Sequence, residues 1–113
     1  MNRKDFTFLT SLPCRSKKTA GILRSHTQRR VRERYGLNLS RGDLCELERS
    51  VRTGAATFIA RNSGNRSCFR VRAFDRELYF IYDAKRSAFA TCLTREMVSV
   101  RFPDARLAEP KGE

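Results

Sequence analysis

The only histidine of the chain, His26, is followed by Arg29, Arg30 and Glu33. On a helix of about 3.6 residues per turn, His26, Arg30 and Glu33 fall on nearly the same face, with Arg29 beside them. One strip then carries a titratable imidazole, a carboxylate and guanidinium groups. Cleaving an RNA phosphodiester needs a base for the ribose hydroxyl proton, an acid for the leaving oxygen and cations for the charge that builds on phosphorus. The strip contains candidates for all three. A polar helix dense in charged side chains also lines up such a set by chance, so a solvated basic face is the competing reading. Further along, Arg66, Arg70 and Arg72 could form a second cationic wall, with Arg70 and Arg72 on one face of a strand because side chains alternate across it. The same alternation puts Tyr79 and Tyr82 on opposite faces, with Tyr82 beside Leu78 and Phe80 in the core. Thr91 shares a face with Phe89 and Leu93, either as a packed strand residue or as a hydrogen-bond donor to phosphate.

Other chemistries are not encoded. The chain has no phosphate-binding glycine loop, no HExxH, no G-x-S-x-G and no clustered carboxylates. Cys14, Cys45, Cys68 and Cys92 are far apart, with no CxxC pair, so no metal site and no cofactor is expected. Four buried thiols in a reducing cytoplasm is the plain reading of those cysteines.

Charge narrows the partner. The 113 residues hold 24 Lys and Arg against 12 Asp and Glu, a net charge of +12. Ten of those cations and only two of the acids lie between Met1 and Arg34, so the excess is concentrated near the start. Such an excess costs stability through self-repulsion unless a polyanion or counterions offset it. Arg greatly outnumbers Lys, and the planar guanidinium fork matches phosphate oxygens in two-point contact. The expected partner is a nucleic acid, RNA ahead of DNA, met by Lys17, Lys18, Arg24, Arg29, Arg32, Arg70 and Arg72. An acidic protein is the other class of partner. No apolar stretch approaches membrane-spanning length, so no membrane partner is expected. The start, MNRKDFTFLTSLP, is too interrupted for a secretory signal, although an Arg- and Ser-rich leader over Met1 to Ser25 is an alternative reading of that segment.

The elements that must position these residues follow from pattern. Residues 1–21 read as a flexible basic arm and residues 22–103 as one α+β domain, with residues 104–113 a frayed tail. A first helix is expected from Ser25, as N-cap, to Gly36, with a thin apolar stripe of Leu23, Val31 and Tyr35 and a wide charged face. Ser40 and Asp43 resemble a capping box, and Leu44, Leu47 and Val51 recur at helical spacing, which predicts a second helix over about Arg41 to Thr53. After Gly54 the texture becomes aromatic, β-branched and alternating. Four strands are expected, starting at Ala55, Ser67, Glu77 and Ser87, joined by short turns into an antiparallel meander. Phe69, Val71 and Ala73 should face the core while Cys68, Arg70 and Arg72 face a partly wet, basic side. Arg95 to Pro103 reads as a last strand or a return over the core. Helices first and strands after give two helices packed on one face of a four-stranded antiparallel sheet.

Taken together, the run from His26 to Gly36, Leu39-Ser40 with an acidic helix start, RNSGNRSCFRV, LYFIYD with its basic turn, and FATCL resemble small phage and bacterial domains. These are grouped with RelE- and ParE-like toxins and the wider barnase, EndoU and colicin ribonuclease superfamily. The resemblance spans roughly Ser25 to Leu93. It implies a metal-independent ribonuclease acting on RNA, with His26 as the helix histidine, Arg30 or Arg29 as the following arginine, Arg66 as the basic residue before the second strand and Thr91 as the late hydroxyl. It equally implies a non-catalytic relative that binds nucleic acid or a partner protein, and an antitoxin as a partner. The basic segment before Ser25 departs from that pattern.

Overall fold

The stretch Lys17–Tyr35 contains no proline and is dense in helix-forming Arg, Lys and Gln, and it forms one long helix, α1. The computed structural model describes residues 17–105, with side chains from Thr19 onward. The helix therefore begins at Lys17, not at Ser25, which lies in mid-helix and caps nothing. Gly21 is tolerated inside it because one glycine costs only about 1 kcal/mol, and buried Ala20 packs that turn against the rest of the domain. Residues 17–21 of the expected arm are thus part of α1. The expected arm over residues 1–16 lies outside the described residues, as do residues 106–113 of the expected tail. Gly36, at φ +70°, stops the helix in the left-handed conformation that glycine adopts without strain, its N–H donating to the Arg32 carbonyl at 3.0 Å.

Helix α2 (Arg41–Arg52) starts on the predicted capping box: the Ser40 hydroxyl accepts from the Asp43 N–H at 3.0 Å and the Asp43 carboxylate accepts from the Ser40 N–H at 2.9 Å. Strands β1 (Thr57–Ser63), β2 (Arg66–Ala73), β3 (Arg76–Asp83) and β4 (Ala88–Leu93) form one antiparallel sheet in the order β1-β2-β3-β4. The segment read as a last strand is a third helix, α3 (Arg95–Arg101). Its signal was present: Thr94 caps it by accepting from the Met97 N–H at 3.1 Å, with Glu96 in the first turn.

The protein is thus an α+β domain of three helices and a four-stranded antiparallel sheet. Its layering differs from helices on one face. One sheet face buries Val71, Leu78, Phe80, Tyr82, Phe89 and Cys92 with Val31, Leu44 and Leu47. Phe80 and Phe89 stack with ring centroids 4.0 Å apart. The other face, expected to be wet, has its own core of Cys68, Tyr79, Ile81, Ala90 and Leu93 under Val98 of α3. Cys68 and Cys92 are buried thiols raised to about 12 by desolvation, whereas Cys45 is exposed on α2, contrary to expectation. Among the described residues no helix is long and apolar enough to cross a membrane.

Helix α1 lies along the outer edge of β4. The Tyr35 hydroxyl donates to the Leu93 carbonyl at 2.6 Å, Arg34 to the Cys92 carbonyl at 2.6 Å, and the Thr27 hydroxyl sits 3.0 Å from the Phe89 carbonyl. An edge strand otherwise offers unpaired backbone groups to other chains, and here helix side chains occupy them. Burial raises the Tyr35 phenol, keeping it protonated as a donor.

The β2–β3 turn places Phe74 and Asp75 at φ +55° and +61°. Two left-handed residues match the twist of a hairpin, but a bulky aromatic pays a steric cost there of about 1 kcal/mol or more. Phe74 is half exposed, so its ring contributes little in return. Phe74→Asn should stabilise the domain by about 1 kcal/mol, raising Tm by roughly 4–8 °C. A lower melting temperature in thermal denaturation would show that the ring matters more than the backbone.

Candidate nucleic-acid site

Three turns of α1 bring His26, Arg30 and Arg34 to one side of the helix, facing across the second sheet face toward α3. Between the two helices lies a cleft of about 410 Å³. Its floor is Ile81, Ala90 and Leu93, its far wall Met97 and Arg101, and its end is closed by Asn62 and Arg66. Thr91 also lines it. The structure therefore brings His26, Arg30, Arg66 and Thr91 to one concave surface.

Two irregularities in the sheet deliver polar groups to that surface. The β3–β4 register shifts between Ile81 and Tyr82, so that Thr91 pairs with Ile81 while Phe89 pairs with Tyr82. Strict alternation would have kept Thr91 on the face of Phe89, as the sequence pattern predicts. The bulge turns it to the cleft. A second shift in the β1–β2 pairing, between Arg61 and Ser63, leaves Asn62 out of the ladder and in the cleft lining. Bulges re-aim side chains in this way without breaking the sheet.

Arg66 is held by Asp83, directly opposite it in the β2–β3 ladder. The Asp83 carboxylate, 2 % exposed, accepts from Arg66 Nε at 3.0 Å, from Arg86 Nη1 at 3.1 Å and from the Arg86 N–H at 3.0 Å. Burial pushes this carboxyl up, but the hydrogen bonds from the Arg86 backbone, Arg66 and the Arg86 guanidinium outweigh it, and the net shift is below 3.8. A depressed carboxylate pKa stabilises the fold above the ordinary value, and that stabilisation is lost as pH falls through the depressed one. Asp83→Asn should therefore flatten the loss of stability as pH falls below the ordinary carboxylate range in acid titration, while lowering stability at neutral pH. An unchanged acid limb would remove Asp83 from that role.

Arg30 donates to Glu33 at 2.7 Å in an exposed pair. The carboxylate of the predicted strip is thus a partner that steadies Arg30, and it is absent from the cleft lining. His26 makes no hydrogen bond or ion pair among the described residues. Its pKa is lowered, first by desolvation and then by Arg30, Arg29 and Arg34, against a smaller opposing effect of Glu33. Near neutral pH it is an uncharged imidazole able to accept a proton. Four guanidinium groups, of Arg30, Arg34, Arg66 and Arg101, line the same cleft, and no carboxylate does. Among the described residues no three His, Cys, Asp or Glu side chains gather as a metal site would need.

The remaining predicted residues are dispersed. Arg29 and Arg32 are exposed on other faces of α1. Arg24 is engaged elsewhere, in a two-point ion pair with buried Glu48 at 2.9 and 3.1 Å. Arg70 and Arg72 share the sheet face with Arg66, but Arg72 is roughly 20 Å along the strand at about 3.3 Å per residue, facing Glu77 at 3.8 Å. The side chains of Lys17 and Lys18 lie outside the described residues. Sequence reasoning missed Arg34, Asn62 and Arg101. Arg34 was available by extending the His26–Arg30 stripe one turn, whereas Asn62 and Arg101 depended on a bulge and on α3.

In comparisons with known proteins, no family model, no curated protein and no solved structure matches this chain.

Proposed function

We propose that this is an RNA-directed protein of RelE-like type that cleaves RNA without a metal ion. The observation that carries the reading is the convergence of His26, Arg30, Arg66 and Thr91 on one cleft lined by arginine. A uncharged imidazole among guanidinium groups suits removal of the 2′-hydroxyl proton, and DNA offers no such proton. His26 takes that proton, the 2′-oxygen bonds to phosphorus, and the bond to the 5′-oxygen breaks. Arg30, Arg34 and Arg66 stabilise the charge on the phosphoryl oxygens, and Thr91 donates to one of them. The products are a 2′,3′-cyclic phosphate and a 5′-hydroxyl, whose proton comes from solvent. The test is incubation of purified protein with single-stranded RNA in excess chelator. Cyclic-phosphate ends are the expected result.

The second reading is a non-catalytic module that uses the same cleft to bind nucleic acid or an acidic partner such as an antitoxin. One observation favours it: besides His26, no group that titrates near neutral pH lines the cleft to protonate the leaving oxygen. Salt-sensitive binding with no turnover would select that reading.

A further inference from the structure

The cleft is one part of a longer surface. Each residue advances about 100° around a helix, so Ser25, Gln28, Arg29 and Arg32 occupy the side of α1 turned away from the cleft, with Ile22 and His26 between. Two further depressions lie there. One is lined by Ile22, Ser25, His26, Arg29 and Arg41, and the next by Ser25, Gln28, Arg29, Arg32 and Asn38. His26 is common to the cleft and the first depression, and Ser25 and Arg29 are common to both depressions. The three are thus continuous over the outward face of α1, and no carboxylate lines any of them.

At the opposite end the chemistry changes. Leu93, Met97 and Arg101 pass from the cleft into an apolar shelf completed by Val100 and Glu96. Val100 is 82 % exposed. An apolar shelf has no use for a phosphate, but it suits the face of a nucleobase, with Arg101 beside it to stack. A duplex keeps its bases stacked inside and cannot fill the shelf, whereas a single strand can present one base there and its phosphates to the arginines.

We propose that the ligand is an extended single strand spanning several nucleotides, its backbone running from the α1–α2 groove over α1 past His26 and one base resting on the α3 shelf. This rests on the nucleic-acid reading of the cleft and adds the strand's path and form.

Binding of uncleavable 2′-O-methyl oligonucleotides tests it by fluorescence anisotropy as a function of salt. The probes are single strands of about three and about twelve nucleotides, and the longer sequence as a duplex. The long strand should bind at least tenfold tighter than the short one and tighter than the duplex. Combining Arg29→Ala, Arg32→Ala and Arg41→Ala should bring the long-to-short affinity ratio toward one and reduce the salt slope for the long strand by about 2, since each single-strand phosphate contact contributes about 0.7. Val100→Asp should weaken the short and long single strands alike. Affinity independent of length, a preference for the duplex, or an unchanged ratio in the triple variant would overturn the track. Cleavage of a dinucleotide reports on the cleft alone, so an inert cleft with length-dependent binding, and an active cleft without it, are separate outcomes.

Discussion

Replacing His26 by alanine is expected to lower kcat/KM for RNA cleavage by about 10²–10⁴-fold, the usual contribution of a positioned general base. The pH profile is the sharper readout. A base must be unprotonated, so activity should rise with pH through the His26 pKa and level off above it. That pKa lies below the ordinary imidazole value of 6.5, because burial and the neighbouring arginines disfavour a second positive charge. The plateau should therefore already be reached at neutral pH. Arg29→Ala removes one of those charges and should move the acidic limb to higher pH. Alanine at position 26 should abolish the limb as well as the rate. If the variant retains the wild-type profile at full rate, the proton-transfer role falls and the cleft is a binding surface only.

The largest expected effect on stability sits on α2, at Glu48. Its carboxylate is buried, accepts three hydrogen bonds from Arg24 at 2.9 to 3.1 Å, and also accepts the Phe89 N–H at 3.0 Å. One side chain thus ties α1, α2 and β4 together. Glu48→Ala removes the partner of a part-buried guanidinium and strands a buried backbone donor. Breaking a buried pair from one side costs about 3–5 kcal/mol, a large fraction of the 5–15 kcal/mol typical of a whole domain. Arg24→Ala leaves a buried carboxylate with one donor and should cost a comparable amount. Glu48→Gln keeps an acceptor for Phe89 and should be milder. Urea denaturation of the three variants measures this ordering, and a Glu48→Ala midpoint close to wild type would mean that water reaches the Phe89 N–H. The same variants separate two roles for Arg24. It should affect the denaturation midpoint and leave the salt slope of RNA binding alone, because its charge is already engaged.

The sequence made some of this legible for identifiable reasons. Ser40 and Asp43 specify the start of α2 through bonds that depend on neighbouring residues alone, and the β2 to β4 alternation reports which residues can be buried together. The His26–Arg30 alignment needed only helical geometry. What could not be read depended on contacts between distant segments. The sequence does not announce that α1 would continue back to Lys17, since its first turns are polar. Nor does strand alternation foresee a bulge, and so it puts Thr91 on the face of Phe89 and gives no reason to expect Asn62 in the cleft. Arg24 looked like any other cation of the basic segment until Glu48, far along the chain, was brought beneath it. The pattern from Arg95 to Pro103 contains enough β-branched and aromatic residues to pass as a strand, and only the Thr94 cap distinguishes it.

Helix α3 has a consequence for the motions of the molecule. Seven residues are too few to hold a helix alone in water, so its persistence is borrowed from the packing of Val98, its one fully buried side chain, from the Thr94 cap and from Arg95 donating to the Tyr79 hydroxyl at 3.1 Å. Strand β3, by contrast, is paired on both sides and buried along most of its length. Opening of α3 therefore requires far less free energy than opening of the sheet, and the two need not occur together. The wall carrying Met97 and Arg101 can loosen while the floor and the α1 wall stay fixed. A cleft built this way is rigid where His26 and Arg66 must hold their positions and yielding where ligands of differing bulk must fit.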